Sequence, residues 1–463
     1  MTDRAGVLAQ LRAVLGDRVD TTDAAREAAR ADKSGHVASG TPLAVVHARS
    51  VDDVQQTMRI ANATGTPVVT RGAGTGLAGA ANTGDGEIAL SVRGMGRILE
   101  VRPDDLVAVV EPGILNADLN DALAVEGLWW APDPASRAIS TVGGNIATGA
   151  GGLLCAKYGV VRDAVLGVDV VLADGRFLRL GRRTVKGVTG LDLTSLMIGS
   201  EGTLGVIVGA TLKLRRLVPG EVRTIAATFP DVRAAATASS AVTAAGLQPS
   251  IMELMDAASL AAVHALLALA APTPGAAQLT IQTDGPASGD EAAAIADVLR
   301  AAGGAVVVSR DPEEGERLLA IRRSMHPAME TLGTTLIEDI AVPRSAMPAM
   351  FDEIARVERE HGVSIPTVAH AGDGNLHPNF VFDGRPDEHG IVEAPPSIWD
   401  AADDLFRAAL RLGGTLTGEH GVGVLKRRWL ADELGDDQWQ LQREIARVFD
   451  PHGILNPGKV FDS

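Results

Sequence analysis

The sequence predicts an α+β protein whose two halves differ in their pattern of strands, helices and turns. Up to about residue 217, short strand-like runs alternate with turns that are rich in glycine. From residue 218 onward, strands and helices alternate, and without the alanine-rich helix 257–271 their order is the β-α-β-β-α-β of a ferredoxin-like unit. Hydrophobic residues make up 46% of the 463 residues and charged residues 22%, so the chain can bury a sizeable core. A chain of this length is expected to form about two to four domains.

The charge balance argues against a nucleic-acid partner and against electrostatic binding to anionic membranes. The chain has 42 basic and 58 acidic residues and a net charge of −16, whereas nucleic-acid binding needs a basic face. An aromatic content of 3% also leaves no platform on which bases could stack.

The cellular location is inferred from three further features. The chain has one cysteine, Cys155, so an intrachain disulfide is excluded. The N-terminal residues lack the basic-then-apolar pattern of a signal peptide. The most apolar helix candidate, residues 260–271, is too short to span a bilayer. The sequence therefore predicts a cytoplasmic protein without a transmembrane segment.

Hydrophobic spacing and turn residues predict the elements of the first half. Residues 17–42 are expected to be irregular. Ser50 should cap a helix that Gly65 ends, and Asn116 should cap a helix that ends at Gly127. The other predicted elements are helix 5–15, strand 67–71, strand 88–92, a hairpin over 97–114 turning at Asp104-Asp105, a hairpin over 165–180 turning at Asp174-Gly175, and a strand starting near Val206.

The first glycine-rich run follows a predicted strand. Gly74, Gly76 and Gly79 satisfy the G-x-G-x-x-G fingerprint, but a dinucleotide fold also needs a crossover helix and an acidic residue about 20 positions later. A turn cluster at residues 82–86 and another strand occupy that space instead. Consecutive small residues still let backbone N–H groups converge on an anion, with Arg71 alongside. The run is interpreted as a pyrophosphate-binding loop, and a purely structural turn is the alternative.

Two further runs are rich in glycine. Residues 140–152 contain five glycines, a density that disfavours a packed helix or strand. Backbone exposed in this way suits a flat ligand that lies against the main chain. A flexible linker is the alternative, although the apolar residues Val142 and Ile146 argue against it. The third run, residues 199–205, leads directly into a strand.

The second half is expected to contain two successive units without a sequence repeat between them. The first unit comprises strands 224–229, 250–254, 278–284 and 305–309 with helices 231–245, 257–271 and 289–302. The second unit comprises strands 335–341, 364–370, 377–382 and 414–418 with helices 345–361 and 398–412.

Two histidines flank a short linker in the second unit. The run from His370 to His377 holds two glycines, an Asp and an Asn between apolar segments, which predicts a hairpin. The two imidazoles would then face each other about 5 Å apart at Cβ, close enough to bind one metal ion. With Glu419 as a third ligand, His420 would remain available as a base. Two structural histidines on a capped loop are the alternative, because this spacing alone is not specific.

Eight short motifs occur along the chain: 71–77 (RGAGTGL), 132–136 (PDPAS), 143–145 (GGN), 157–159 (KYG), 199–205 (GSEGTLG), 370–377 (HAGDGNLH), 418–421 (GEHG) and 455–459 (LNPGK). Together they resemble the FAD-linked 2-hydroxyacid dehydrogenases, which include glycolate oxidase catalytic subunits, D-lactate dehydrogenases and D-2-hydroxyglutarate dehydrogenases. That family lies within the vanillyl-alcohol oxidase / p-cresol methylhydroxylase superfamily. The resemblance runs from about residue 40 to 460, and eight motifs in the family's order are far more specific than any one of them.

The resemblance implies a two-subdomain FAD-binding domain of the p-cresol methylhydroxylase type over residues 1–217. A ferredoxin-like antiparallel domain for substrate and metal would span 218–412, and residues 413–463 would complete the active site and pack on the FAD domain. Residues 71–80 contain no histidine, so non-covalent FAD is expected. The residues implied to bind FAD are Arg71, Gly72, Ala73, Gly74, Thr75, Gly76, Leu77, Pro132, Asp133, Ser136, Thr141, Gly143, Gly144, Asn145, Thr148, Gly149, Glu201, Gly202, Gly205, Ile207 and Asn456.

The same resemblance implies metal-assisted oxidation of a small 2-hydroxy acid. His370, His377 and Glu419 would hold zinc or a similar divalent ion such as manganese, leaving coordination positions open for substrate oxygens. The metal would make the substrate hydroxyl more acidic. His420 would take that proton near neutral pH, and hydride would pass from Cα to the flavin.

Substrate contacts are also implied by the resemblance. Arg322 would hold the substrate carboxylate with its planar fork, and a charge on a helix surface is the alternative. Asn379 is expected to contact substrate, and Lys426 is a weaker candidate. Where 2-hydroxyglutarate enzymes have a Thr and a Lys, this chain has His326 and Ile337, which favours a smaller or different 2-hydroxy acid.

Two other functions remain open. An FAD oxidase of an alditol or phenol that uses O2 would not need the two histidines and the glutamate. A non-catalytic FAD subunit of a larger complex would have a degraded substrate domain. The chain has no cysteine cluster for an iron–sulfur centre, so a separate acceptor is expected: an electron-transfer flavoprotein, a quinone or an iron–sulfur partner. A homodimer is compatible with the sequence.

Overall fold

A computed structural model describes residues 3–385 and 392–461 of the chain. The expected domain ranges 1–217 and 413–463 extend at their outer ends beyond these residues. The α-helices are α1 (Arg4–Leu15), α2 (Asp23–Ala29), α3 (Val51–Thr64), α4 (Asn116–Ala124), α5 (Val142–Thr148), α6 (Cys155–Tyr158), α7 (Leu193–Met197), α8 (Val232–Ala244), α9 (Ala257–Leu266), α10 (Ser288–Ala301), α11 (Pro312–Arg323), α12 (Met325–Glu330), α13 (Met347–His361), α14 (Pro396–Arg411), α15 (Leu430–Leu434) and α16 (Asp436–Phe449).

The strands are β1 (Val19–Asp20), β2 (Ala44–His47), β3 (Val68–Arg71), β4 (Ile88–Ser91), β5 (Ile98–Arg102), β6 (Val107–Val110), β7 (Leu128–Trp129), β8 (Val165–Val171), β9 (Phe177–Gly181), β10 (Val206–Lys213), β11 (Arg215–Arg216), β12 (Arg223–Phe229), β13 (Ile251–Met255), β14 (Ala277–Thr283), β15 (Ala305–Val308), β16 (Thr334–Ile337), β17 (Ile340–Ala341), β18 (Thr367–His370) and β19 (Asn375–Phe382). Contacts divide the chain into two compact units. Unit 1 comprises Met1–Gly151, Gly159–Leu217 and Glu419–Ser463, and unit 2 comprises Gly152–Tyr158 and Val218–Gly418.

Unit 1 contains two main sheets. The first has the order β1-β2-β4-β3, with β2, β4 and β3 parallel and β1 antiparallel to β2. Leu11 of α1 and Met58 of α3 are buried in one core with Ile88 and Leu90 of β4. The second sheet is antiparallel in the order β5-β6-β10-β8-β9, and Trp130 is buried in its core. The core under the first sheet also contains Val171 of β8 and Val206 and Val208 of β10, so the two sheets of unit 1 pack against each other.

Local sequence signals set the ends of helix α3. The Ser50 side chain accepts a hydrogen bond from the Asp53 amide, which satisfies one of the free N–H groups of the first turn. Gly65 ends the helix with φ of 64°, a left-handed conformation that glycine adopts without a steric cost. The expected start and end of this helix are thus confirmed.

A distant segment completes the first sheet of unit 1. The Val68 amide donates to the Ile454 carbonyl at 2.7 Å, and the Asn456 amide donates to the Val68 carbonyl at 2.8 Å. Ile454 and Leu455 are buried in the same core as α1 and α3. Residues near 455 therefore belong to the fold of residues 43–95, although the chain of unit 2 lies between them in sequence.

Unit 2 is built on one sheet of eight strands in the order β15-β12-β14-β13-β18-β19-β16, with β17 also paired to β19. All of these pairs are antiparallel. The two ferredoxin-like units expected from the sequence thus share one sheet, because β13 of the first pairs with β18 of the second. Helices α8, α10, α13 and α14 pack on one another, and α9, α11 and α12 form a second group.

Four local expectations are corrected by the structure. Residues 17–42, expected to be irregular, contain β1 and α2. Asn116 is the first residue of α4, and its side chain donates to the Pro132 carbonyl at 2.9 Å, so it does not cap the helix. Helix α9 ends at Leu266, before residue 271. In the predicted strand 414–418, only a single bridge from Thr415 to Ala341 forms.

The largest correction concerns residues 140–152, which contain helix α5. The Thr141 hydroxyl accepts from the Gly144 amide at 3.2 Å and caps the helix. Two of the five glycines lie in the first turn, where the amides lack intrahelical partners in any case. Gly149 ends the helix with φ of 70°. Glycine density alone therefore gave the wrong expectation, because the glycines stand at the ends of the element.

Within the described residues, no helix is both long enough and apolar enough to cross a membrane.

Candidate active site

The glycine-rich run after β3 forms a loop without a helix in unit 1. Residues 72–87 connect β3 to the parallel strand β4 through turns and bends. A dinucleotide fold would place a crossover helix here, so the rejection of that fold on sequence grounds is confirmed.

Asp32 and Arg71 hold this loop through side-chain hydrogen bonds to its backbone. The Asp32 carboxylate accepts from the Gly79 amide at 3.0 Å. The Arg71 guanidinium donates to four backbone carbonyls, those of Ala28, Ala29, Ala31 and Ala81. Through these contacts Arg71 joins helix α2 to the glycine-rich loop. Its expected place beside a bound anion stays a prediction. Two half-buried charged groups therefore hold this loop in place.

The loop approaches helix α5 as closely as glycine permits. A Cβ atom at Gly72 would lie 2.4 Å from the Thr141 Oγ1 and 3.8 Å from the Cα of Gly144. Asn145 is 3% exposed, and its Nδ2 makes no hydrogen bond within the described part of the chain. Converging backbone and a buried amide donor fit an extended, phosphate-bearing cofactor such as FAD.

The other residues expected around the cofactor lie in the same unit. Asn456 links two of the runs, because its Nδ2 donates to the carbonyls of Ala80 at 3.0 Å and Glu201 at 2.6 Å. The Glu201 amide in turn donates to the Ala147 carbonyl of α5 at 2.8 Å. The remaining expected residues are half-buried or buried at these turns: Ala73, Gly74, Thr75, Gly76, Leu77, Pro132, Asp133, Ser136, Gly143, Thr148, Gly149, Gly202, Gly205 and Ile207.

The Glu201 side chain holds the segment that carries His420. Its carboxylate accepts from the amides of Val422 at 2.7 Å and Gly423 at 2.8 Å. Burial raises the pKa of Glu201 to about 7, although the two amides and the charge of Lys426 act in the opposite direction. These carboxylate contacts make Glu201 an anchor for Val422 and Gly423. Its expected contact with FAD stays a prediction.

Glycines let this segment pack tightly within unit 1. A Cβ atom at Gly151 would come within 2.5 Å of a Glu419 carboxylate oxygen, and one at Gly423 would lie 2.0 Å from the Ala78 carbonyl oxygen. The Val424 amide donates to that same carbonyl at 2.8 Å. The His420 side chain is 10% exposed, and its Nε2 lies 3.9 Å from Glu419 Oε1. Backbone on both sides of His420 is thus fixed.

In unit 2, His370 and His377 lie on one face of the β18–β19 hairpin. His370 pairs with Asn375 and His377 with Val368, so the two histidines are diagonal neighbours and not directly opposite as expected. Their ring centroids are 4.9 Å apart at an interplanar angle of 83°. Both residues are buried. This places two imidazoles close enough to bind the same ion.

Glu253 of β13 contacts both His370 and Arg322. One carboxylate oxygen accepts from His370 Nδ1 at 2.7 Å, and the other accepts from Arg322 Nε at 2.8 Å and Nη2 at 2.7 Å. Burial acts to raise the pKa of Glu253, but the charges of His370 and Arg322 outweigh it and the pKa lies below its ordinary value. The Arg322 side chain is 13% exposed, which rules out the alternative of a surface charge on a helix.

Asn379 lies on β19 beside these histidines. Its Nδ2 donates to the carbonyls of Pro366 at 3.1 Å and His377 at 2.8 Å, so only its oxygen is left for the substrate contact expected of it. Ile337 of β16 pairs with Asn379 across the sheet. The His326 side chain is 66% exposed and pairs with Glu330. Lys426, a weaker substrate candidate, is 1% exposed in unit 1.

The chain just before Glu419 is held by a buried carboxylate of unit 2. Asp339 is fully buried and accepts from the Gly418 amide at 2.7 Å and from the Thr417 hydroxyl at 2.9 Å. Asn375, at the start of β19, contacts Gly418 so closely that a Cβ there would lie 2.4 Å from its Nδ2. The peptide that leads into Glu419 is therefore fixed to the hairpin that carries the histidines.

Three carboxylates of the site were missed by sequence reasoning. Glu253 stands alone among apolar residues in Ile-Met-Glu-Leu-Met, and Asp339 stands in Ile-Glu-Asp-Ile. A charged residue within an apolar strand is rarely buried without a partner, so both carried a usable signal. Asp32 lies in a polar stretch and carried none.

Comparisons with known proteins identify the family of the chain. The family described as FAD linked oxidases, C-terminal domain, matches residues 218–460, and the FAD binding domain family matches residues 42–181. The glycolate oxidase subunit GlcD of Bacillus subtilis is 39% identical over 425 residues, covering 91% of this chain and 89% of that protein. A D-lactate dehydrogenase of Archaeoglobus fulgidus is 34% identical over 420 residues, covering 90% of each chain.

A solved structure shows the same fold. p-Cresol methylhydroxylase with substrate bound superposes with a TM-score of 0.79 at 18% identity, covering 99% of this chain and 97% of that one. The fold is therefore an FAD-binding domain of the p-cresol methylhydroxylase type with a second α+β domain. Both family matches and the full-length relatives lead to one conclusion: the chain belongs to the FAD linked oxidases and is an FAD-dependent oxidoreductase.

Proposed function

We propose that the protein oxidises a small 2-hydroxy acid, such as glycolate or D-lactate, to the 2-oxo acid with transfer of hydride to FAD. The proposal rests mainly on the group formed in unit 2 by His370, His377, Glu253 and Arg322. It brings two imidazoles and a guanidinium into one cluster, a combination suited to a substrate with a hydroxyl and a carboxylate. The names of the relatives, glycolate oxidase subunit and D-lactate dehydrogenase, support this substrate class.

His370, His377 and Glu419 would hold a divalent ion, which we propose to be zinc. Since His370 Nδ1 faces Glu253, its Nε2 is the nitrogen left for a metal. Glu419 follows Gly418, which Asp339 fixes to the histidine hairpin. When bound, the ion would lower the pKa of the substrate hydroxyl. Two histidines and one carboxylate are an established donor set for catalytic zinc.

His420 would take the proton from that hydroxyl. It lies next to Glu419 in sequence, and the Glu201 carboxylate holds the backbone two residues further on. Its imidazole is 10% exposed, so it is shielded from most of the solvent. A base of this type contributes about 10²–10⁴-fold to a rate.

Arg322 would bind the substrate carboxylate. Glu253 occupies its Nε–Nη2 edge, which leaves the Nη1–Nη2 edge for a second, bidentate pairing. His326 is exposed and Ile337 is apolar, so neither offers the extra polar contacts that a second carboxylate would need. This favours a substrate with one carboxylate.

The remaining assignments are proposed on the same grounds. FAD would be bound without a covalent link, because residues 71–80 contain no histidine. Residues 1–217 would form the FAD domain, residues 218–412 the substrate domain, and residues 413–463 would return to the first. Because a relative is named as a subunit of glycolate oxidase, a separate protein is the proposed electron acceptor.

A substrate screen tests this function. Purified protein would be assayed with D- and L-2-hydroxy acids and a dye acceptor, with and without a chelator. We expect reduction of the dye by one enantiomer series or by glycolate, and loss of that activity after chelation. Activity on an alcohol without a carboxylate, undiminished by chelator, would contradict the proposal.

A further inference from the structure

A single buried carboxylate joins the residue proposed to hold substrate to a residue proposed to hold metal. Glu253 is 1% exposed in the middle of β13. It lies directly across from His370 in the register of β13 and β18. Arg322 reaches it from helix α11. The three residues therefore come from three separate elements of unit 2 and meet at one carboxylate.

The contacts define which edge of each partner faces Glu253. His370 uses Nδ1 for Glu253, so Nε2 lies on the opposite edge of the ring. Arg322 donates from Nε, and its Nη2 lies 2.7 Å from the same carboxylate oxygen. Glu253 thus holds one edge of the imidazole and one edge of the guanidinium.

A purely structural ion pair would explain the burial of Glu253 less well. Burying a carboxylate costs several kcal/mol, and an Arg–carboxylate pair alone often fails to offset this cost. A shape-matched apolar residue would fit the surrounding strand, whose neighbours Met252 and Leu254 are buried hydrophobic residues. What an apolar residue could not do is orient a histidine ring and a guanidinium at the same time.

We propose that Glu253 is a positioning residue that sets the metal-binding nitrogen of His370 and the carboxylate-binding edge of Arg322 together. This inference rests on the proposed function. It predicts that metal affinity and substrate affinity depend on the same side chain, although Glu253 itself contacts neither ligand. Carboxylates that hold metal-bound histidines typically change metal affinity by about 10–100-fold when removed.

The test is the variant Glu253→Gln in the full-length protein with FAD bound. The glutamine amide group keeps the size of the side chain but presents an NH2 to one of its two donors. We expect Zn²⁺ affinity, measured on metal-depleted protein by competition with a chromophoric chelator, to fall by about 10–100-fold. The KM for the carboxylate substrate should rise in the same variant, while FAD content stays unchanged.

Asp256→Asn is the matched control. Asp256 is a buried carboxylate of the same unit, three residues along, and accepts from the amides of Ser259 at 2.8 Å and Thr367 at 2.7 Å. It supports β18 as Glu253 does, but it contacts neither His370 nor Arg322. Zn²⁺ affinity should therefore stay near that of the wild type. An equal loss of Zn²⁺ affinity in both variants would mean that changing any buried carboxylate of this unit weakens metal binding. That result would overturn the inference.

Two outcomes separate the inference from the proposed function. If wild-type protein binds no divalent ion and chelator leaves activity intact, the proposed function fails and the inference fails with it. If the wild type binds Zn²⁺ and Glu253→Gln binds it equally well, the inference alone is wrong.

A second measurement covers the case in which Glu253→Gln does not fold. In Zn²⁺-loaded wild type labelled with ¹⁵N-histidine, His370 should carry its proton on Nδ1 and bind through Nε2. The ¹⁵N signals that disappear in the His370→Gln variant would be assigned to the His370 ring. Metal coordination through Nδ1 of His370 would contradict the proposed orientation.

Discussion

His377 and His420 have different proposed roles, so their alanine variants should fail in different ways. His377→Ala removes a proposed ligand, and metal content should fall. His420→Ala should keep metal and FAD while flavin reduction slows by about 10²–10⁴-fold, because only the base is lost. Elemental analysis and anaerobic stopped-flow bleaching of the flavin measure the two effects. His326→Ala, which removes a 66% exposed ring, should change neither.

Arg322→Lys tests the carboxylate contact. A lysine offers a point charge and no planar fork, so it cannot hold Glu253 with one edge and a substrate carboxylate with the other. The KM for the substrate should rise by about tenfold or more, since a lost charged hydrogen bond costs about 1.5–3 kcal/mol. The neighbouring Arg323→Lys, on the exposed side of the same helix, is the control. An unchanged KM in Arg322→Lys would remove Arg322 from the substrate site.

At single residues, motif spacing indicated the two histidines but not the groups that orient them. His370 and His377 stood out because glycines separate them, and the structure puts their rings together. Glu253 lies more than a hundred positions earlier in sequence, and only the pairing of β13 with β18 brings it to His370. That pairing is a tertiary event without a local sequence signal.

Among the elements, the turn that contains Glu201 should make stability depend on pH. The folded pKa is about 7, whereas the ordinary value is 4.5. A raised acid pKa gives stability that is fully present below pH about 4.5 and is lost as pH rises through about 7. The shift corresponds to about 3 kcal/mol. In thermal unfolding followed by flavin fluorescence, the advantage of wild type over Glu201→Gln should shrink between pH 5 and pH 8. A constant difference would show that Glu201 is ionised throughout.

The glycine-rich loop and helix α5 should tolerate no side chain where they meet. In Gly72→Ala, the new methyl group would lie 2.4 Å from the Thr141 Oγ1, so the loop or the helix cap must move. We expect the ratio of bound FAD to protein, read from the visible spectrum, to fall. Gly289→Ala adds a methyl group in helix α10 where nothing lies within 4 Å, and it should retain full FAD. Equal FAD content in both variants would argue against a tight loop.

Elements with strong local signals were predicted well, and elements defined by long-range contacts were not. Ser50 sets the start of helix α3 with its side chain, and Gly65 sets the end with its backbone conformation. The segment 414–418 is predicted as a strand and has Thr-Leu-Thr at its centre, yet the bridge of Thr415 to Ala341 is the one strand pairing it makes within the described residues. Glycine density disfavours a helix or strand at residues 140–152, whereas the positions of those glycines allow a short capped helix.

For the molecule as a whole, the mode of FAD binding is a direct test. The purified protein should be yellow, and acid or heat should release the flavin into the supernatant, because residues 71–80 offer no histidine for a covalent bond. Absorption spectra of the precipitate and supernatant distinguish the cases. Flavin retained on the denatured polypeptide would contradict a non-covalent link.

The order of motifs indicated the family, while the architecture of the second half was only partly predicted. Two ferredoxin-like units were expected from alternating strands and helices. The structure joins them into one eight-stranded sheet through β13 and β18, a pairing that alternation along the chain cannot specify.

The bridge between Val68 and Leu455 has a consequence for how the protein is made. On the ribosome, residues 1–217 emerge first, yet the first sheet of unit 1 lacks its last paired segment until Ile454, Leu455 and Asn456 have been added. All of unit 2 is translated in between. During that interval the outer side of β3 remains an open strand edge, which is a site for wrong pairing and aggregation. Nascent chains of this protein should therefore depend on chaperones until residues 454–456 have been synthesised.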